Sequence, residues 1–153
     1  MNDTYVTFEG WVGSDVSLSE TRGGAQVASF RVGSTPRHFR DGAWADGETV
    51  WFTVKCWRSL ALNVHQSIRN GEAVIVHGKL VADVWEKSPT ETSVRYIVVA
   101  TSVGHDLSRG TAQFTKAPRR LHGGDDVQQT IHAYDEDGPR LDSDGELVQP
   151  AAA

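Results

Sequence analysis

The chain has 153 residues, of which 39% are apolar and 23% charged, with a formal net charge of −5 and a single cysteine. This composition is typical of a soluble globular protein, and the length suits one domain with its own core and a tail. No run approaches the ~20 apolar residues of a membrane span, and the first residues lack a secretory signal. One cysteine excludes an internal disulfide framework and a cysteine-rich zinc site. We therefore expect a cytoplasmic protein.

The acidic charge is unevenly distributed. Residues 1–114 contain 11 Lys+Arg and 12 Asp+Glu, whereas residues 115–153 contain 4 and 8. Beyond Phe114 only scattered aliphatics and Tyr134 could pack, too few to offset the entropy of ordering the chain. We predict a folded domain over 1–114 and a disordered acidic tail over 115–153. Since the domain is nearly neutral, the net charge does not exclude nucleic acid as a partner.

The first 114 residues show the alternation of β-strands, with one helical segment. Apolar side chains recur at every second position, which predicts strands over Tyr5–Gly13, Gln26–Ser34, Thr49–Trp57, Ala73–Val84 and Arg95–Val103. Between the third and fourth strands, Leu60, Val64 and Ile68 recur at four-residue spacing. We predict a short helix there, capped by Ser59 and ended by Asn70-Gly71.

Five strands with one helix between the third and fourth indicate an all-β protein of the five-stranded Greek-key OB-barrel type. The βαβ rhythm of a parallel sheet is absent. Two long hairpins, Pro36–Glu48 and Val84–Tyr96, have polar tips that look too long for tight turns. We expect them to protrude from the barrel as arms.

Aromatic and basic side chains lie outside the predicted core. On the third strand Trp51 and Trp57 flank Lys55, opposite the aliphatic face, so all three are expected to point outward. Phe39 lies in the first arm among basic residues, and Trp85 stands at the base of the second arm.

Single-stranded nucleic acid is bound by this mixture, because aromatic faces stack on bases while Lys and Arg neutralise phosphates. We therefore predict sequence-independent binding of single-stranded DNA, with stacking on Phe39, Trp51, Trp57 and Trp85. The candidate phosphate ligands are Arg31, Arg37, Arg40, Lys55, Arg58, Lys79 and Lys87. Packing in the core or between subunits remains the alternative for any single aromatic, and the roles of Trp11 and Trp44 stay open.

Nothing in the chain indicates catalysis. The six histidines are dispersed, and no zinc motif, phosphate loop or nucleophile elbow is present. The acidic groups Asp125-Asp126 and Asp135–Asp137 could bind Mg²⁺ in a hydrolase, but they lie in the predicted tail, where nothing fixes metal geometry. We expect a protein that is not an enzyme and uses no cofactor or metal.

Cys56 falls on the apolar side of its strand, where a buried free thiol is the usual outcome. The alternative is a disulfide between two subunits across a symmetry axis, which is rare in the cytoplasm.

Six segments carry a resemblance to a known family. They are Gly10-Trp-Val-Gly13, Ala28-Ser-Phe-Arg-Val32, Trp51-Phe-Thr-Val54, Leu60-Ala-Leu62, Gly71-Glu-Ala-Val-Ile-Val-His-Gly-Lys-Leu80 and Val84-Trp85. In order and spacing, residues 5–107 resemble the bacterial single-stranded DNA-binding proteins. That resemblance maps the stacking aromatics onto Phe39, Trp51, Trp57 and Trp85. It implies a homotetramer in the nucleoid that serves replication, recombination and repair.

The tail departs from the family pattern. Such proteins usually end in an acidic tip closed by Pro-Phe that docks replication and repair proteins, whereas this chain ends in Gln-Pro-Ala-Ala-Ala. The departure puts partner recruitment in doubt and suggests a secondary paralogue. The alternative function is a primosomal-type OB-fold adaptor that acts mainly through protein contacts.

Overall fold

The computed structural model describes residues 2–118. The greater part of the predicted tail, residues 119–153, lies outside that range, so the predictions made for it stay predictions. The elements in chain order are β1 (Tyr5–Val12), β2 (Ser17–Glu20), β3 (Gln26–Ser34), β4 (Arg37–Arg40), β5 (Ala43–Asp46), β6 (Val50–Trp57), α1 (Arg58–Ser67), β7 (Ala73–Ser88) and β8 (Glu91–His105).

Five of the strands form a closed barrel. The large sheet has the order β1-β7-β8-β6-β3-β2, and an additional pairing of β1 with β3 closes it into a ring. β6 and β8 run parallel, and the other pairs are antiparallel. β2 extends the sheet at the edge of β3, and β4 and β5 form a separate two-stranded sheet. The predicted class, an OB barrel with one short helix and hairpin arms, is confirmed.

The barrel interior is filled by the inward side chains of the alternating strands, and α1 covers it with Ala61 and Val64. Close backbone approach shapes the wall at Gly78, beside a β-bulge in β7, where a Cβ would overlap the carbonyl oxygen of Val99. Ile68 packs in the same core just after the helix. Within residues 2–118 no helix is long and apolar enough to cross a membrane.

The helix starts and ends earlier than predicted. Trp57, not Ser59, is its N-cap residue, and no side chain caps the first turn. The strand passes directly into the helix because Arg58 has a positive φ of 56°, which turns the chain without an intervening loop. The helix ends at Ser67, and the Ile68 N–H donates to the carbonyl of Val64.

The arms end in tight turns, so the prediction of long polar tips is wrong. In the first arm Arg40 pairs with Ala43 around Asp41-Gly42, whose φ values of 53° and 79° fit a type I′ turn. In the second arm β7 and β8 continue to the pair Ser88–Glu91. The outer part of the second arm carries polar side chains on both faces, so alternation could not show that its strands continue to the turn.

Candidate nucleic-acid interface

The outward side chains of β6 divide into an open half and a covered half. Trp51, at the start of the strand, is 47% exposed, whereas Lys55 is 0% and Trp57 5% exposed. Lys55 and Trp57 alternate with the core residues Val54 and Cys56, so they face away from the barrel core as predicted. They are nevertheless buried. Three further buried residues also lie outside the core cluster, namely Val27, Ile97 and Val99.

Lys55 is therefore not exposed to solvent, as a phosphate ligand would be, and the expectation of an open lysine on this face is wrong. Burial lowers the pKa of its ammonium group from 10.5 to about 8. The charge of Asp83 opposes this shift and raises the pKa, while the nearby Arg95 adds to the lowering. The lysine is thus a covered cation with charged neighbours from β7 and β8.

Trp57 is likewise inaccessible to a nucleotide base. Its ring is buried, and among residues 2–118 its Nε1–H finds no hydrogen-bond acceptor. A buried indole of this kind contributes mainly to packing. The predicted platform at Trp57 is not exposed in the chain as it folds alone.

Trp51 lies over two glycines. A Cβ on Gly13 would overlap the indole ring, and a Cβ on Gly33 would stand 3.1 Å from it. The guanidinium carbon of Arg31 lies 4.8 Å from the ring centroid, within cation–π range. Glycine at both positions thus provides the flat seat for the ring, and the arginine adds a positive charge beside it.

Trp85 repeats this arrangement at the base of the second arm. It is half-buried, and the guanidinium carbon of Arg95 lies 4.8 Å from its ring centroid. Arg95 is absent from the sequence-based candidates because its relation to Trp85 depends on the register of the arm. In that register Trp85 pairs with Ser93 and Asp83 with Arg95. The tight turn at Pro89-Thr90 was the signal that could have revealed it.

The first arm carries an aromatic pair. Phe39 and Trp44 are both exposed, with ring centroids 5.4 Å apart in an edge-on arrangement. Cross-strand pairing of the two residues in β4 and β5 sets this contact. Arg37 of this arm forms an exposed ion pair of 2.9 Å with Asp46, and Arg40 is exposed beside the turn.

The remaining basic candidates differ in exposure. Lys87 is exposed on the second arm, with Glu91 at 4.0 Å, and Arg58 is half-buried at the start of α1. Lys79 is buried, and its Nζ lies 3.2 Å from Asp3 Oδ1, so it is less accessible to a phosphate than the exposed candidates are. Alternation along β7 predicts the side of the sheet that Lys79 faces, but it cannot predict the ion pair with Asp3.

Cys56 lies in the barrel core with no exposed surface, and burial raises the pKa of its thiol. Of the two alternatives for Cys56, the structure shows the buried free thiol. Because the sulfur offers no surface to a second subunit, this placement argues against an intersubunit disulfide. Within residues 2–118 no group of histidine, cysteine or acidic side chains is clustered as a metal site.

The sequence and the fold both match known proteins. The sequence model of the Single-strand binding protein family matches residues 3–106. A "Single-stranded DNA-binding protein 2" of Tropheryma whipplei is 34% identical over 134 residues, covering 86% of this chain and 88% of the relative. A "Single-stranded DNA-binding protein" of Corynebacterium glutamicum is 38% identical over 121 residues, covering 78% of this chain and 54% of the relative.

Solved structures of single-stranded DNA-binding proteins also resemble this chain. The small single-stranded DNA-binding protein from Streptomyces coelicolor superposes with a TM-score of 0.66 at 30% identity, over 72% of this chain and 100% of that one. The second single-stranded DNA-binding protein from Mycobacterium smegmatis gives 0.60 at 30% identity, over 75% and 100%. By sequence and by fold, the chain belongs to the single-strand binding protein family.

Proposed function

We propose that this protein binds single-stranded DNA without sequence preference and so protects exposed strands in replication, recombination and repair. One observation carries the proposal beyond family membership. Trp51 and Trp85 each keep an indole on the outer surface with an arginine guanidinium 4.8 Å from the ring centroid. A stacking face beside a positive charge suits a base and its phosphate together.

In this proposal the aromatic side chains Trp51, Trp85 and Phe39 stack on bases. The positive charges that neutralise phosphates come from exposed or half-buried residues: Arg31, Arg37, Arg40, Arg58, Lys87 and Arg95. Contacts of this kind fix the strand without reading base edges, so sequence selectivity is weak. Trp57, Lys55 and Lys79 are buried, and in this proposal they do not contact the DNA.

We propose a homotetramer as the working assembly, since several subunits would offer DNA a continuous track. The family resemblance supports it, and light scattering of the purified protein measures it. We also propose that the protein acts in the cytoplasm on nucleoid DNA, without catalysis. The relatives give no support to the adaptor interpretation, which requires weak DNA binding together with saturable binding of a helicase or its loader.

The domain division over 1–114 and 115–153 is part of the proposal. Truncation after Phe114 should leave a folded protein that still binds oligo-dT. If the acidic tail recruits replication or repair proteins, the truncated chain should lose that recruitment while keeping its DNA affinity. A truncated chain that fails to fold would contradict the division.

Titration with oligo-dT at two salt concentrations tests the function, with the DNA affinity and the tryptophan quenching as readouts. Trp51→Ala and Trp85→Ala should each weaken binding by about 1–3 kcal/mol, because each removes a stacking face. Phe114→Ala is the matched control, since Phe114 is an exposed aromatic outside the sheet. The affinity of the wild type should also fall with salt as counterions are released. Unchanged affinity in a folded double variant would contradict the proposal.

A further inference from the structure

We propose that Trp11, together with Arg109, forms a further base-stacking position that extends the DNA-binding surface from Trp51 across β1. The inference rests on the proposed function, since it assigns another binding position for the same strand. Trp11 is 49% exposed, as open as Trp51 at 47%. Two neighbouring exposed indoles on one sheet face form an apolar patch, and such patches mark binding surfaces more often than singly exposed side chains do.

Strand register places Trp11 beside Trp51. Trp11 pairs with Gly33 across β1 and β3, and Gly33 pairs with Trp51 across β3 and β6. Residues directly opposite each other in a sheet share one face, and neighbouring strands lie about 4.8 Å apart. The backbones that carry the two tryptophans are thus about 10 Å apart, two strand spacings, on the same face.

Gly33, on β3 between the two tryptophans, leaves room for the Trp51 ring. The Trp51 ring extends from β6 over Gly33, where a Cβ would stand 3.1 Å from the ring. It also reaches Gly13, the residue that directly follows β1. No side chain of Gly33 therefore separates the two indoles. A strand stacked on Trp51 meets Trp11 as the next aromatic surface in the direction of β1.

Arg109 gives Trp11 the charge that Trp51 and Trp85 already have. Its guanidinium carbon lies 5.7 Å from the centroid of the Trp11 ring, and its Nε lies 3.7 Å from Asp106 Oδ2. Asp106 is itself fixed, because its N–H donates to the carbonyl of Ala73 and its Oδ1 accepts from the N–H and Oγ–H of Ser108. The exposed arginine is thus held near the ring by the segment that follows β8.

The recurrence of this pairing supports a shared role. Arg31 accompanies Trp51, Arg95 accompanies Trp85 and Arg109 accompanies Trp11. In all three pairs the guanidinium carbon lies within about 6 Å of the ring centroid, the range in which a cation is attracted to an aromatic face. In each pair the arginine can contact a phosphate while the indole stacks on the adjoining base.

Photo-crosslinking tests the assignment directly. The full-length protein is bound to an oligo-dT that contains 5-iodouracil, irradiated, and mapped by peptide mass spectrometry. We expect crosslinks to the peptide that contains Trp11 as well as to those with Trp51 and Trp85. Crosslinks to Trp51 and Trp85 without any to Trp11 would overturn the inference alone, whereas no crosslink to any of the three would overturn the proposed function.

Affinity measurements supply the second test. Trp11→Ala should weaken oligo-dT binding about 5- to 100-fold, and Trp11→Phe should restore most of it, since a phenyl ring still stacks. Arg109→Ala should reduce the salt dependence of binding by about one phosphate contact. Tyr5→Ala is the matched control, because Tyr5 is the other exposed aromatic on the same face of β1.

The oligomer mass of each variant is measured by light scattering, which separates DNA binding from assembly. Equal losses of affinity in Tyr5→Ala and Trp11→Ala, or a smaller oligomer in Trp11→Ala alone, would overturn the inference. Either result would mean that Trp11 acts through packing of β1 and not on DNA.

Discussion

The two ends of β6 carry the same alternation but differ in their surroundings. At the start of the strand Trp51 stands over Gly13 and Gly33 and stays half exposed. At the end, Lys55 and Trp57 face the same side of the sheet and are buried. Alternation thus determines which way a side chain faces, whereas the residues that other strands place around it determine whether it meets solvent.

The largest expected effect is on the folding stability of variants at Trp57, in the buried end of β6. Trp57→Ala should lower the free energy of unfolding by about 3–5 kcal/mol, since it leaves a cavity where a buried ring packed. Trp57→Phe should cost much less, because it keeps an aromatic ring and removes the unpaired Nε1–H. Urea unfolding monitors both variants. Full stability together with lost DNA affinity in Trp57→Ala would show that Trp57 belongs to the open half.

The covered lysine predicts an unusual pH dependence. The pKa of Lys55 is about 8 in the folded chain, below its ordinary value of 10.5, so the unfolded chain binds the extra proton between these two values. Stability contributed by this group therefore rises with pH from about 8 to about 10.5, by about 3 kcal/mol at most. Cys56 acts in the opposite direction above its ordinary pKa, because burial raises the pKa of its thiol.

Lys55→Met isolates that contribution, since the variant keeps Cys56. At pH 7 the variant should be more stable than the wild type by as much as about 3 kcal/mol, because no charge is buried. The difference should shrink as the pH rises past 8. DNA affinity and its salt dependence should stay unchanged. A loss of stability at pH 7 would contradict the cost assigned to burying this charge. A salt dependence reduced by one phosphate contact would place Lys55 among the DNA ligands.

A smaller effect concerns the seat of Trp51. Gly13→Ala should displace the indole, because the new Cβ would overlap the ring, and it should weaken DNA binding by no more than the ~1–3 kcal/mol expected of Trp51→Ala. Gly104→Ala is the matched control, since a Cβ there meets no atom within 4 Å. Equal DNA affinity of the two variants would show that the seat does not position Trp51.

The smallest effects concern the arginines beside the open tryptophans. Arg31→Ala and Arg95→Ala should each reduce the salt dependence of DNA binding by about one phosphate contact. Affinity should fall modestly, as expected for a cation–π partner worth about 0.5–2 kcal/mol. Arg22→Ala, in the exposed turn between β2 and β3, should change neither quantity. Identical salt slopes in all three variants would remove the two arginines from the interface.

Much of the fold could be predicted because it depends on local pattern. The period of two in β1, β3 and β6 identified these strands and their inward faces, and the spacing of Leu60, Val64 and Ile68 identified the helix. The short β2 was missed because its four residues include one apolar side chain, Leu18. The two hairpin arms were predicted, but their tight turns were missed, because the outer part of the second arm is polar on both faces.

The site was less predictable because it depends on residues that are distant in sequence. Burial of Lys55 and Trp57 accompanies that of Val27, Ile97 and Val99, which other strands supply. The partners of Trp85 and Trp11, Arg95 and Arg109, follow only from strand register and from the turn after β8. Residue type alone therefore proposed Trp51, Trp85 and Arg31 as candidates and could not separate these exposed or half-buried residues from the buried Lys55 and Lys79.

The tryptophan indole N–H signals of the ¹⁵N-labelled protein, recorded with and without oligo-dT, compare the two ends of β6 in one measurement. Single Trp→Phe variants assign the five signals of the chain. We predict large shifts for Trp51 and Trp85 and little change for Trp57, because only the open tryptophans meet bases. A large shift of Trp57 with Trp51 and Trp85 unmoved would contradict the division of this surface into an open, DNA-binding half and a covered, supporting half.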